Sequence, residues 1–394
     1  MTRVLLLTPF APHRAHDHAA SDTLVRLVPR LAAQTELFVY SPQAAVPAQT
    51  TIAVEADGST GEYTLLPVAE RAVARPTPTD RFGVRPAWLR QAWSSGAADE
   101  AAAAIERVRP DVVHVEYLQG AEALAHSRRT VLGLHDITES VMAESYRVAT
   151  GPARVYRRAE LIRTRRFERT AIRRAGAVLT LSATDQTVAR TLNPRVVLAR
   201  PGVELPEKPW TAPVADTRPR LVFVGALWRR ANELVARYLA EQVLPLVWQA
   251  HPQVELRLVG AKPGPALRAL AAADQRIVVT GAVPDLQDEM RAAHAVLVPS
   301  IVGGGVLMKV LHAMALGAPV ITSPGPAASV GADESMLYIG ADPTGLAAAV
   351  DAALTDPAQA ATRGEHARAH IGATFRWADT VRSYLDAYAI AVTR

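Results

Sequence analysis

The chain has no cysteine among its 394 residues. This absence excludes disulfide bonds, thiolate nucleophiles and cysteine metal sites, and it agrees with a reducing compartment. No apolar run approaches the roughly 18 residues that span a bilayer. The apolar run at residues 4–7 is followed at once by a proline-containing loop rather than a cleavage site, so no signal peptide is predicted. We therefore expect a soluble protein of the cytoplasm.

The chain is too long for one typical hydrophobic core, and its length fits two domains. Hydrophobic residues make up 49% of it and charged residues 21%, which is typical of a globular protein. The formal net charge of +5 is modest but concentrated, because residues 154–174 carry nine arginines against two glutamates.

Two short apolar runs, at residues 296–299 and 319–322, are rich in β-branched side chains and predict buried parallel strands. Between them stand Gly303, Gly304 and Gly305, where a backbone without Cβ atoms can approach a ligand closely. Three glycines can also form no more than a flexible turn.

A helix is predicted from Val306, with Gly317 at the position of a helix C-cap. Its free N–H groups and positive dipole end would face the three glycines. The unit of strand, glycine loop, helix and strand therefore predicts a site for an anionic ligand.

This stretch resembles the nucleotide-sugar site of retaining GT-B glycosyltransferases of family 4. The closer similarity is to a bacterial subgroup in which a lysine follows the glycine-rich loop, here GGGVLMK ending in Lys309. The resemblance covers nearly the whole chain, strongly over residues 221–323 and weakly before residue 111. It implies an α/β GT-B fold, in which two Rossmann-like doubly wound domains face a central cleft.

A segment with five prolines at residues 198–219 has neither helical nor strand periodicity and predicts an interdomain linker. With the resemblance, it divides the chain into four parts: an acceptor-binding domain at 1–198, a linker at 199–219, a donor-binding domain at 220–374, and a helix at 375–394 that crosses back to the first domain.

The resemblance implies a donor that is a UDP-, GDP- or dTDP-sugar, with no cofactor and no metal. Lys309 would stabilise the departing diphosphate. The donor-binding residues implied are Gly225, Arg229, Arg230, Asn232, Val283, Gly303, Gly304, Gly305, Val306, Leu307 and His312.

Several of these positions depart from the family pattern. His312 stands where a glutamate usually holds the ribose, Leu307 where the subgroup tends to have a basic residue, and Gly304 where many other members have a second glutamate. Arg229 and Arg230 either replace the family's usual arginine and lysine as a diphosphate clamp or are simply solvated.

Two predicted strands, at residues 111–116 and 131–134, end in polar residues. Ligands of open α/β sheets bind at the carboxyl ends of strands, so Glu116, His135 and Asp136 become site candidates. His135 and Asp136 match the family's histidine segment at the sugar end of the site, which implies catalytic roles; a structural histidine is the alternative.

The loop at residues 9–21 has alanines where family members usually carry glycines. His16, His18 and Ser21, together with Glu116, are the acceptor-side candidates. His13 and Asp17 complete a cluster that could bind a metal, but no second cluster at ligand spacing supports it, so a solvated loop is the favoured interpretation and metal is predicted absent.

The arginine-rich residues 154–174 predict a helix whose narrow inward stripe includes Val155, Ala159 and Ile162. Its basic exterior could contact an anionic membrane or a polyanionic acceptor, or it could be a solvated face. Nucleic acid is not expected as a partner, because no binding motif or aromatic interleaving accompanies the charge. Elsewhere we expect irregular surface over 44–86, one helix over 231–250 and a loop over 324–330.

The function predicted is a metal-independent retaining glycosyltransferase. It would move a sugar from a nucleotide sugar to a hydroxyl of a glycan, lipid-linked or natural-product acceptor, in the cytoplasm or at the membrane periphery. The alternative is a noncatalytic GT-B protein with a degenerate donor site, which His312 and the loop alanines favour. A nucleotide-sugar epimerase is a third and weaker interpretation.

Overall fold

The computed structural model describes residues 1–12, 19–44, 46, 48–68, 85–89, 93, 95–147, 149–213, 218–301 and 306–393. The chain forms two compact units. The first unit comprises Met1–Pro201 together with Ala378–Arg394, and the second comprises Gly202–Trp377.

The first unit is built on an eight-stranded sheet in the order β3-β4-β2-β1-β5-β6-β7-β8. All neighbouring strands pair in parallel except β3 and β4. The strands are β1 Arg3–Leu7, β2 Glu36–Tyr40, β3 Thr50–Ala56, β4 Ser59–Leu65, β5 Val112–Glu116, β6 Thr130–Leu134, β7 Ala177–Thr180 and β8 Val196–Leu198.

Helices connect these strands, as continuous apolar strands of a parallel sheet require on both faces. They are α1 Ala19–Ala32, α2 Ser95–Val108, a 3-10 helix Leu118–Ala125, α3 Thr138–Arg147, α4 Gly151–Arg174 and α5 Ala183–Arg190. The C-terminal helix, Trp377–Val392, lies almost wholly in this unit.

The second unit has a six-stranded parallel sheet in the order β11-β10-β9-β12-β13-β14. The strands are β9 Arg220–Val224, β10 Glu255–Val259, β11 Ile277–Gly281, β12 Ala295–Val298, β13 Val320–Thr322 and β14 Tyr338–Ile339. The helices are α6 Arg230–Tyr238, a π-helical turn Leu239–Val243, α7 Leu244–Ala250, α8 Pro265–Ala273, α9 Leu286–Arg291, α10 Met308–Leu316, α11 Pro324–Ser329, α12 Pro343–Thr355 and α13 Pro357–Thr374.

Each sheet reverses its winding direction at one point. In the first unit β1 lies between β2 and β5, and in the second unit β9 lies between β10 and β12. Connections leave in opposite directions from such a strand, and this opens a crevice at its carboxyl end where ligands of α/β sheets bind. The fold therefore places candidate ligand residues after β5 in one unit and after β9 and β12 in the other.

The prediction of irregular surface over residues 44–86 is wrong for its described part. β3 and β4 form an antiparallel hairpin, closed by Asp57 and Gly58 at φ 54° and 74°. Two consecutive positive φ values match the right-handed twist of paired strands, and an Asp-Gly pair adopts them readily. The expected loop at 324–330 is mostly the short helix α11.

The single helix predicted over 231–250 is interrupted by the π-helical turn. Pro245 stands in the first turn of α7, and its ring nitrogen cannot donate to the preceding turn. The helix after the glycines begins at Met308 rather than Val306 and ends, as predicted, at Gly317, whose φ is 78°.

The inward stripe predicted for the arginine helix is also wrong. Val155 is 73% exposed and Ile162 is 58% exposed, whereas Glu160, Thr164 and Glu168 are buried. The buried face is polar because it binds neighbouring loops: Glu160 accepts from the Ala87 N–H at 2.9 Å.

Most of the proline-rich segment, from Gly202 onward, belongs to the second unit. Trp210 anchors it there, since its indole Nε1–H donates to the Ala293 carbonyl at 2.7 Å and its backbone N–H to the Leu316 carbonyl at 2.8 Å. This buried tryptophan holds the segment against the core of that unit.

Candidate active site

Strand β5 brings two polar side chains to one face of the first sheet. His114 and Glu116 are two residues apart, so they project to the same side, while Val113 and Val115 enter the hydrophobic core. The neighbouring strand β6 ends at Leu134 and delivers His135 beside Glu116.

Glu116 is the centre of a buried hydrogen-bond network. The carboxylate is completely buried. Its Oε2 lies 2.6 Å from His114 Nε2, and its Oε1 lies 2.7 Å from His135 Nε2 and 3.0 Å from the Tyr384 hydroxyl. Because an ionised carboxylate only accepts, both imidazoles and the phenol donate to it.

The network also fixes the tautomer of His114. The Tyr388 hydroxyl lies 2.8 Å from His114 Nδ1. With Nε2–H donating to the carboxylate, a neutral His114 uses Nδ1 to accept from Tyr388. Burial on its own raises the pKa of Glu116, but the hydrogen bonds and proximity of His114 and His135 outweigh it and hold that pKa well below its usual range.

Gly133 in β6 makes room for this carboxylate. A Cβ atom at residue 133 would lie 2.3 Å from Glu116 Oε2, which no real side chain allows. Any larger residue would displace Glu116 from its donors.

Tyr117, immediately after Glu116, has a strained backbone. Its φ of 75° and ψ of 146° fall in a region that non-glycine residues rarely adopt, at a cost on the order of 1–3 kcal/mol. The ring stacks on His135 with centroids 3.8 Å apart and an interplanar angle of 21°. Strain of this kind persists where neighbouring contacts impose it, and here it orients the imidazole of His135.

Asp136 begins the turn into α3, and Asp136 Oδ1 accepts from the Thr138 hydroxyl at 3.2 Å. Burial raises the pKa of Asp136, while His135 and Thr138 oppose that rise. Glu168 of α4 caps the first turn of α3 by accepting the N–H groups of Thr138 and Glu139 at 2.8 Å each. Burial is the main cause that raises the pKa of Glu168 to about 7.

In the second unit, Gly225 follows β9 and lets Asn232 of α6 approach. A Cβ at residue 225 would lie 2.9 Å from Asn232 Nδ2. Asn232 donates to the Ala226 carbonyl at 3.0 Å and accepts from Lys309 Nζ at 2.9 Å. The loop after β9 and the helix after β12 are thereby joined at the switch point.

Lys309 has neutral partners. Its Nζ lies 4.4 Å from the ring centroid of Phe223, and its hydrogen bond goes to an amide oxygen. In the part of the chain that the structure describes, no carboxylate forms an ion pair with it. Burial, followed by the nearby positive charge of Arg229, lowers the pKa of Lys309 to about 8.

The structure also describes six other donor candidates. Arg229 is at the N-cap of α6 and Arg230 at its first position, both exposed. His312 is half-buried on α10, one turn beyond Lys309. Three further candidates pack at the edge of a core cluster: Val283, Val306 and Leu307.

Some candidates cannot be placed. Gly303, Gly304, Gly305, His16 and His18 lie outside the described residues. Ser21 is in α1, but its side chain is also outside the description.

No group of three or more His, Cys, Asp or Glu side chains among the described residues could hold a metal ion. None of the described helices combines the length and the apolar character needed to cross a membrane.

Sequence reasoning missed five residues of the first site: His114, Tyr117, Gly133, Tyr384 and Tyr388. His114 was detectable, because it shares the strand face of Glu116. Tyr384 and Tyr388 are four residues apart on one helix face, but the sequence does not indicate that this face meets β5.

Comparisons with known proteins agree with this architecture. Residues 218–356 match the family described as glycosyl transferases group 1. This range runs from the start of β9 to the end of α12 and includes Asn232 and Lys309. No curated protein sequence matches the chain.

Solved structures match nearly the whole chain. The sucrose-phosphate synthase of Thermosynechococcus elongatus is 19% identical with a TM-score of 0.71, and the match covers 98% of each chain. Anabaena HepE in complex with UDP and glucose is 15% identical with a TM-score of 0.66, covering 98% of this chain and 99% of that one. A trehalose-6-phosphate synthase, from a study of glycosyl transfer with retention, is 14% identical with a TM-score of 0.66 and the same coverage. The predicted GT-B fold is confirmed.

Proposed function

We propose that this chain, a GT-B fold with a glycosyl transferases group 1 domain at residues 218–356, transfers a sugar from a nucleotide sugar to an acceptor hydroxyl with retention of configuration. The observation that carries the proposal is Lys309, a half-buried cation beside Arg229, held by an amide and an aromatic ring in the matched domain. The negative charge of a diphosphate would compensate the two positive charges of Lys309 and Arg229. HepE in complex with UDP, on the same fold, supports a nucleotide as donor.

The donor diphosphate would lie against Lys309, Arg229 and the first N–H groups of α10. These groups would stabilise the negative charge that develops when the bond between the anomeric carbon and the phosphate oxygen breaks. The acceptor oxygen would bond to that carbon on the face that the diphosphate leaves, and its proton would pass to the departing phosphate oxygen. This course retains configuration and needs no enzyme nucleophile and no metal.

His135 would act at the sugar end. Its Nε2–H donates to Glu116, so Nδ1 is the ring atom that remains to accept a hydrogen bond from a sugar hydroxyl. Glu116 itself is buried and holds three donors, which makes it a positioning residue for His135 rather than a direct acceptor contact.

The substitution of histidine for glutamate at residue 312 favours the competing noncatalytic interpretation. A carboxylate can accept from both ribose hydroxyls, whereas a neutral imidazole accepts one hydrogen bond. The loss corresponds to about 1 kcal/mol, which weakens nucleotide binding without removing it.

The decisive assay measures release of nucleoside diphosphate from a panel of UDP-, GDP- and dTDP-sugars, with the anomeric configuration of the product read by NMR. Turnover of one donor with retention supports the proposal. Nucleotide binding without turnover of any donor, across a range of hydroxyl acceptors, would assign the chain to the noncatalytic class.

A further inference from the structure

Helix α4 buries a polar stripe and exposes two large aliphatic side chains on the opposite face. Near its C-terminal end the inward face buries Ala171 and Ile172. Before them it consists of Glu160, Thr164 and Glu168, spaced four residues apart along one side of the helix. Each accepts hydrogen bonds from a neighbouring segment: Glu160 from a backbone N–H, Thr164 from the Trp88 indole at 3.0 Å, and Glu168 from the start of α3.

The opposite face carries Val155 and Ile162, seven residues or two turns apart. Val155 is 73% exposed and Ile162 58% exposed, and both are among the large hydrophobic residues most exposed in the described part of the chain. At 100° per residue, Arg158, Arg166 and Arg173 fall on this same side of the helix. All three arginines are exposed.

The acidic residues near this helix are already engaged elsewhere. Glu139 of α3 pairs with Arg165 at 2.7 Å and Arg169 at 2.9 Å, and Glu160 pairs with Arg163. Among the described residues, no carboxylate forms an ion pair with Arg158, Arg166 or Arg173. The outer face of α4 therefore presents uncompensated positive charge together with two aliphatic side chains.

We infer that this face, defined by Val155, Arg158, Ile162, Arg166 and Arg173, docks on an anionic phospholipid surface. The inference is independent of the reaction proposed above. On a solvated face or at a site for a soluble polyanion, Val155 and Ile162 would stay exposed to water. An interfacial helix instead buries such residues at the acyl boundary while its arginines contact the headgroups. The helix is about 36 Å long, at about 1.5 Å per residue, and lies along the interface.

The test is cosedimentation of the full-length protein with vesicles of phosphatidylcholine alone and of phosphatidylcholine mixed with phosphatidylglycerol, at low and high salt. We expect binding to the mixed vesicles only, with weakening at high salt. Each arginine near an anionic surface contributes about 1 kcal/mol, or about fivefold, so combined substitution of Arg158, Arg166 and Arg173 by glutamine should weaken binding on the order of a hundredfold.

A second variant, Val155→Ser with Ile162→Ser, keeps the charge and should weaken vesicle binding by about fivefold or more through lost apolar burial. The matched control replaces three exposed arginines elsewhere in the first unit, Arg107, Arg128 and Arg190, by glutamine. It removes the same charge and should leave binding within about twofold, since these positions lie off the docking face. Circular dichroism checks that each variant is folded.

Three outcomes would overturn the inference. The wild-type protein could fail to bind the mixed vesicles at low salt, or the control could weaken binding as much as the α4 variant does. Alternatively, the serine variant could bind vesicles like the wild type while the arginine variant loses binding to vesicles and soluble polyphosphate equally, which would assign the face to a polyanion.

Discussion

The two candidate sites treat buried charge in opposite ways. In the first unit, the Glu116 carboxylate accepts from two imidazoles and one phenol, and all three partners belong to the chain. In the second unit, the Lys309 ammonium contacts an amide oxygen and an aromatic ring. The charged group that acts on its pKa is another cation, Arg229. One charge is neutralised within the protein, and the other is not.

The pKa directions show the same contrast. Hydrogen bonds keep the pKa of Glu116 below its usual range despite complete burial, whereas burial and Arg229 bring the pKa of Lys309 down to about 8. A satisfied network stabilises one geometry. An uncompensated cation is instead a place for an anionic ligand. The first site thus holds His135 in place, and the second has the uncompensated charge that the proposed diphosphate contact requires.

The largest effect is expected at Glu116. Glu116→Ala leaves the buried His114 imidazole, the half-buried His135 imidazole and the Tyr384 phenol without their acceptor. It should lower the free energy of unfolding by about 3–5 kcal/mol, the scale for breaking a buried pair. Urea unfolding near neutral pH measures it. The control Glu36→Ala removes a surface partner of Arg3 and should cost about 1 kcal/mol or less. Equal effects of the two substitutions would mean that the network does not stabilise the fold.

Lys309→Ala should lower turnover by about two orders of magnitude or more, the scale for removing one group that stabilises developing negative charge. The assay is the steady-state release of nucleoside diphosphate. Lys208→Ala, at an exposed lysine of the same unit, is the control and should leave turnover unchanged. An unaltered turnover number in Lys309→Ala would contradict the proposal that Lys309 stabilises the departing diphosphate.

Substitutions of the two tyrosines of the C-terminal helix distinguish two hydrogen bonds of the network. Tyr384 donates to the Glu116 carboxylate, whereas the Tyr388 hydroxyl pairs with a ring nitrogen of His114 and, among the described residues, makes no hydrogen bond with that carboxylate. Hydrogen bonds to charged groups contribute about 1.5–3 kcal/mol and neutral ones about 1 kcal/mol, so Tyr384→Phe should destabilise the protein more than Tyr388→Phe. The reverse order in urea unfolding would contradict this ranking of the two hydrogen bonds.

The smallest effect is expected at residue 312. His312→Glu restores a second acceptor for ribose hydroxyls and should leave nucleoside diphosphate affinity unchanged or improve it by up to about fivefold, which is about 1 kcal/mol. Calorimetry with the wild type and the variant measures the difference. A tenfold loss of affinity would show that the histidine has its own role in binding.

The sequence was sufficient to predict the strands that end at both sites, because continuous apolar runs identify buried parallel strands. It also placed His135 beside the end of β6 and Lys309 in α10. It could not supply Tyr384 and Tyr388, which meet β5 from 268 and 274 positions away. Such contacts depend on tertiary packing rather than on any local pattern.

The arginine helix shows a different limit. Its apolar spacing suggested an inward stripe, yet Val155 and Ile162 are exposed. The interior side of α4 meets backbone and indole N–H groups, which need acceptors, so glutamate and threonine occupy it. Periodicity identifies a distinct face of a helix, but the hydrogen-bonding needs of its neighbours decide which face is buried.

The central claim is that Lys309 is a cation whose charge a nucleotide diphosphate completes. Calorimetric titration with UDP, GDP and dTDP between about pH 7 and about pH 9 tests it directly. The pKa of Lys309 is about 8 without ligand, and a bound diphosphate would raise it. Affinity should therefore be greatest below about pH 8 and fall by up to about tenfold per pH unit above it, with proton uptake on binding. Lys309→Ala should remove this pH dependence. Failure of all three nucleotides to bind, or an affinity independent of pH across this range, would contradict the account.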